Sequence, residues 1–252
     1  MRLKIFFIKM FFILMSSLTL NLYAQNPLTV ASLNKAWADR ETEDGQIKIL
    51  KLIQSEPKIP ENFEIAWQMS RLVYFSGNFG IGEKLSKDEH IKMFEFGYKT
   101  AEIARKLNPD RVEGHYWYAV NLGSYGLARG VLTALSNAKI GRDALLEASK
   151  IDPMYHWAGA YRVLGRYYQE VPGIISFGDK KIAKEYFEKA IKIAPNFRLN
   201  TAYLGALESD GGDKEKALKL FQEAEKMTDV DGKEEESHYK RNLALDIKKI
   251  VD

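Results

Sequence analysis

The residues best equipped for chemistry are four histidines, His90, His115, His156 and His238, in a chain without a single cysteine. None stands in an HxxxH or HExxH pair, and without thiolates no zinc set can be completed around them. His115 and His156 fall near the starts of successive helical stretches, where a helix-terminus or packing role is the simpler reading. The run Gly77-Asn78-Phe79-Gly80-Ile81-Gly82 lacks the Lys-Ser/Thr of a phosphate loop and follows no strand. No cofactor or metal is implied, and the chain is expected not to be an enzyme.

Recognition chemistry is better represented. Tyr116, Trp117, Tyr118 and Tyr125 crowd one helical stretch, and Trp157, Tyr161, Tyr167 and Tyr168 crowd the next. Helical register counted from Gly123 turns Trp117, Val120 and Ser124 to one face. Register counted from Gly165 turns Arg162, Arg166 and Gln169 to the matching face of the next stretch. An aromatic wall of Trp117 and Tyr118 opposite two guanidinium groups suits an extended peptide, or a small hydrophobic or carboxylate ligand. The competing reading gives most of the aromatics to the core and the charges to a solvated outer face. Ile174 and Phe177 join the candidates because they lie in an apolar insertion that needs cover from the fold or from a partner.

These residues must be positioned by helices. From Leu28 onward apolar residues recur at three- and four-residue intervals, with no sustained period-two alternation. Gly178-Asp179-Lys180 returns as Gly212-Asp213-Lys214, and Ala183, Phe187 and Ala190 return as Ala217, Phe221 and Ala224, each 34 residues on. That is the period of the tetratricopeptide helical hairpin. Pro57, Pro109, Pro153 and Pro195 mark the ends of successive second helices, since proline cannot continue the preceding turn. Asp179 and Asp213 are placed to cap the helices that follow them. Two hairpins depart from the period. Gly205 to Ala217 spans 12 residues, whereas Gly165 to Ala183 and Gly123 to Gly141 each span 18, so six extra residues fall between the paired helices.

The N-terminus reads differently. Arg2, Lys4 and Lys9 precede an uncharged, mostly apolar run of 15 residues, Met10 to Ala24, which ends in a small residue. The pattern is that of a secretory signal cleaved after Ala24, the rival reading being an uncleaved membrane anchor. Removing the signal takes three of the 37 basic residues and leaves 34 of each sign. A neutral chain offers no electrostatic footprint for nucleic acid.

The array resembles tetratricopeptide repeat proteins over Asn62 to Met227. The insertion Glu170-Val171-Pro172-Gly173-Ile174-Ile175-Ser176-Phe177-Gly178-Asp179 carries a finer resemblance. Together with Leu164-Gly165, Tyr116-Trp117-Tyr118-Ala119, the segment Gly141 to Leu146, and Asp152-Pro153, it is similar to the TatT family. Those are exported accessory components of tripartite ATP-independent periplasmic (TRAP) transporters. The resemblance implies a periplasmic scaffold whose partner is a solute-binding protein; the alternative is a generic envelope scaffold or chaperone holding extended peptides. Gln25 stands where a lipoprotein of that family would have cysteine, so lipid anchoring is not expected. The expected fold is an all-α tetratricopeptide-like solenoid of helical hairpins. Its divisions are a signal over residues 1–24, an N-terminal helical segment over 25–60, the array over 61–228 and a capping helix over 229–252.

Overall fold

The computed structural model describes residues 28–55, 58, 61–80, 84–228, 243 and 247–250. The described residues build ten bounded helices: α1 (Val30–Ala38), α2 (Glu43–Ser55), α3 (Phe63–Phe79), α4 (Lys87–Leu107), α5 (Val112–Arg129), α6 (Val131–Ile151), α7 (Tyr155–Glu170), α8 (Lys180–Ile193), α9 (Arg198–Asp210) and α10 (Lys214–Lys226). They pair in chain order, and successive pairs stack to give the all-α tetratricopeptide-like solenoid.

Local chemistry sets the helix ends. Asp179 accepts from the backbone N–H groups of Lys181 and Ile182, and Asp213 from that of Lys216, so both expected caps form. Ser86 and Glu89 close a reciprocal capping box at the start of α4. At the other ends α4, α6 and α8 stop just before Pro109, Pro153 and Pro195.

The repeat residues do the packing expected of them. Ala183, Phe187, Ala190, Ala217 and Ala224 are fully buried, and Phe221 nearly so. Each phenylalanine lies against the glycine of the preceding first helix: a Cβ on Gly165 would overlap the Phe187 ring, and one on Gly205 would lie 2.7 Å from that of Phe221. Small residues on one helix thus make room for a large one on the next. Between the pairs, Asn121 on α5 donates from Nδ2 to the Ser70 carbonyl (3.1 Å) and hydroxyl (2.9 Å) on α3.

The two six-residue insertions differ in structure. In the third hairpin the extra residues lengthen α5 and α6, and the connection shrinks to Gly130 alone, at φ 120°. Only glycine adopts that backbone cheaply. Gly126 lets the corner close, since a Cβ there would lie 2.8 Å from the Ala134 Cα. In the fourth hairpin the insertion is a true loop, tied by the Asp179 N–H to the Tyr168 carbonyl (2.9 Å) and the Ser176 N–H to the Pro172 carbonyl (3.0 Å).

The expected signal over residues 1–24 lies outside the described residues, as does most of the expected cap over 229–252. Leu243, which is described, is buried with Ala217, Phe221 and Ala224. No described helix is long and apolar enough to cross a membrane.

Candidate functional site

Four first helices, α3, α5, α7 and α9, line one shared groove together with the start of α6. It encloses a cavity of about 710 Å³. Tyr74, Val120, Leu127, Val131, Leu135 and Tyr203 supply an apolar lining, and Asn78, Ser124, Asn137, Arg162, Arg166 and Glu170 the polar part. Leu127 and Val131, at the α5–α6 corner, stand open to solvent at 77% and 73% exposure. A smaller hollow of about 350 Å³ lies between α8, α9 and α10 and contains none of the residues expected to bind.

The expected aromatic wall is core. Trp117 is 1% exposed and packs against Tyr74, Tyr116 and His156, while its indole N–H donates to the Tyr155 hydroxyl at 2.7 Å. Tyr118 is buried on another side, edge-on to Tyr98 of α4, with the Arg105 guanidinium 4.3 Å from its ring centroid. Both residues sit in the first half of α5, where every residue from Val112 to Leu122 is buried under its neighbours.

The two arginines separate. Arg162 borders the cavity but is 3% exposed, and its hydrogen bonds go inward. Nη1 donates to the Trp157 carbonyl (3.0 Å) and to Asn200 Oδ1 (3.1 Å), and Nη2 to His156 Nδ1 (3.1 Å). Arg166 is half-buried over the Tyr203 ring, paired with Glu170 at 2.7 Å and bonded to Gln169 at 3.1 Å. Gln169 in turn donates to Asp210 on α9. Arg166 is therefore the more exposed of the two groove arginines, and its charge is paired with Glu170.

The insertion loop also divides. Phe177 lies edge-on to Tyr168, and the Arg142 guanidinium of α6 sits 4.6 Å from its ring centroid. Ile174 is fully exposed. Val171 and Pro172 reach the cavity, so the loop forms part of its rim.

A feature with no signal in the sequence underlies the groove. His156, Trp157 and Ala158 all have positive φ, between 51° and 60°, giving a left-handed turn at the head of α7. For residues with a Cβ each such conformation costs about 1–2 kcal/mol. Arg162 and Asn200 stabilise it by donating to the Trp157 carbonyl, and Trp157 stacks on Phe197 with centroids 5.0 Å apart. His156 Nδ1 faces two donors, Arg162 and the Tyr116 hydroxyl, so it is the unprotonated acceptor nitrogen. Burial, and then the nearby Arg162 and Arg71, hold the imidazole well below the usual histidine range. Burial also lowers His115, whose Nε2 bonds the Pro109 carbonyl at 2.8 Å. Among the described residues no group of three or more histidines and carboxylates is arranged to hold a metal ion.

Against known families, residues 31–184 match the profile of regulator of microtubule dynamics protein 1-3. The chain belongs to this family. Regulator of microtubule dynamics protein 1 of Pongo abelii is 22% identical over 172 residues, covering 64% of this chain and 54% of that protein. The Bos taurus protein of the same name is also 22% identical, over 175 residues, with 64% and 53% covered. The chain thus spans about half the length of the curated relatives it matches. Among solved structures, a thermophilic TPR protein of Thermus thermophilus superposes with a TM-score of 0.58 at 13% identity, covering 88% of this chain and 98% of that one. At that identity the likeness shows the fold.

The family overturns the expected location. Periplasmic export, with a signal cleaved after Ala24 and no lipid anchor, is corrected because the curated relatives are regulators of microtubule dynamics from mammals, whose cells have no periplasm. The resemblance to TatT rested on the insertion and its surroundings, features that longer hairpins of many helical arrays share.

Proposed function

We propose that this chain is a non-enzymatic interaction module that holds a segment of a partner protein in the groove of α3, α5, α7 and α9. The tetratricopeptide-like scaffold supports protein–protein interaction in general. One observation carries the finer reading: four successive first helices turn apolar side chains into a single cavity of about 710 Å³ with Arg166 on its wall. Such a surface takes an extended segment whose apolar side chains fill the cavity and whose carboxylate exchanges for Glu170 on Arg166. Its relatives are regulators of microtubule dynamics, and from them we take the class of process, so the partner belongs to the machinery that governs microtubule dynamics.

A second reading has its own support. The cavity volume falls within the range of about 300–1,000 Å³ common to small-molecule sites, so a small apolar or carboxylate-bearing ligand also fits. The accessory role beside a TRAP transporter that the TatT resemblance implied needs a periplasmic partner, and no relative supports it.

Fluorescence anisotropy with labelled peptides from microtubule-associated proteins tests the first reading. Peptides combining aliphatic and acidic residues should bind the intact protein and lose at least about tenfold in affinity on Val120→Arg. Binding that ignores Val120→Arg would remove the groove from the account.

A further inference from the structure

Arg71, on α3, contributes nothing to the groove as described. Its guanidinium carbon lies 4.0 Å from the Trp37 ring centroid and 4.8 Å from that of Trp67. Two indoles so close attract the cation through their ring faces, while its N–H groups keep their capacity for hydrogen bonds. Nε is buried without an acceptor, and no described carboxylate pairs with the group. Burial, reinforced by the charge of Arg40, pushes the guanidinium down to about 10.

Nearby carboxylates are engaged elsewhere. Glu64 accepts from the Trp67 indole at 2.8 Å, and Glu113 pairs with Arg111. Tyr155 accepts the Trp117 N–H, which leaves its own hydroxyl proton to donate. His156 feels both Arg71 and Arg40 and is itself held neutral. Arg71 therefore presents a buried N–H that no described group accepts. A buried cation in such a setting is costly unless an acceptor with negative charge completes it.

We propose that Arg71 is an oxyanion-binding site that takes a carboxylate or a phosphate group. The planar guanidinium edge matches either group with two parallel hydrogen bonds. Cation–π contact with Trp37 and Trp67 holds the cation in place before the anion arrives, so little side-chain entropy is lost on binding. The site goes beyond the groove reading and stands without it, because Arg71, Trp37 and Trp67 lie on α1 and α3 outside the groove lining.

The test uses the full chain and two probes, acetate and inorganic phosphate, titrated in chloride buffer of constant ionic strength. Thermal midpoint and tryptophan fluorescence are followed together. The intact protein should show a saturable rise in midpoint with a fluorescence change reporting Trp37 and Trp67. A response to acetate alone assigns a carboxylate ligand, and a response to phosphate alone assigns a phosphate. Arg71→Met should abolish both signals while melting no lower than the parent in chloride, because a buried charge has been removed. Arg71→Lys keeps the charge but loses the planar fork, and should bind at least about tenfold more weakly. An intact protein blind to both anions, or Arg71→Met and Arg71→Lys variants that respond like the parent, would overturn the proposal.

Discussion

Arg162 donates from Nη1 to Asn200 Oδ1 across 3.1 Å, tying the first helix of the fourth hairpin to that of the fifth. Asn200 completes the link by donating from Nδ2 to the Ala194 carbonyl at 2.9 Å and the Trp157 carbonyl at 3.3 Å. An arginine that helical register assigns to the binding face is thus a structural cation with its hydrogen bonds already committed.

Removing either partner should therefore weaken the fold. Arg162→Ala leaves Asn200 and the left-handed turn at His156–Ala158 without their donor, and should cost about 2–4 kcal/mol. Urea denaturation followed by circular dichroism measures it. A loss below about 0.5 kcal/mol would mean that the turn stands without Arg162.

The loop between α7 and α8 predicts a contrast within a few residues. Phe177→Ala gives up contacts with Tyr168 and Arg142 and should destabilise by about 1–2 kcal/mol. Ile174→Ser, at a fully exposed position, should change stability by less than about 0.5 kcal/mol. Equal effects of the two substitutions would contradict the way the loop packs.

Much of this scaffold was legible in the residues themselves. Ala183, Phe187 and Ala190 and their echo 34 residues later report a packing that every hairpin must satisfy, so their spacing carries into the structure. The groove was legible in part, because register from Gly123 and Gly165 places Val120 and Arg166 on the lining. Trp117 and Tyr118 escaped that logic because an aromatic at a lining position can still be roofed by neighbouring rings, which is a tertiary fact. Nothing local to His156-Trp157-Ala158 favours positive φ; the turn exists because Arg162 and Asn200, farther along the chain, bond it. Arg71 was missed because its helix carries no Leu-Gly pair from which to count register.

Stability should depend on pH through two histidines. Both His156 and His115 titrate below the usual histidine value of 6.5 in the folded protein. Below about pH 6.5 the unfolded chain takes up protons that the folded chain refuses, so stability falls as pH drops toward the folded values. Each histidine contributes a slope of up to ~1.4 kcal/mol per pH unit in that window. Melts in matched buffers between about pH 7 and 5 measure the slope, and His156→Gln should flatten it. A slope unaltered by that change would assign the dependence to other groups.

Helix packing around Tyr167 gives a further test. Its hydroxyl donates to the Ala119 carbonyl at 3.1 Å from a slot between Gly123 and Gly141, where a Cβ on Gly141 would overlap it. Gly141→Ala should cost about 1–3 kcal/mol, and a smaller side chain at position 167 should recover part of that loss. The double-mutant cycle measures the coupling, and strict additivity of the two changes would refute the close fit.

The most direct test of the groove as a protein-binding surface is site-specific photocrosslinking in cells. A photoreactive residue replacing Val120, inside the cavity, should trap a protein adduct, whereas one replacing the exposed Lys219 on α10, away from the cavity, should not. Adducts from position 219 alone, or a small molecule in place of protein at position 120, would contradict the account.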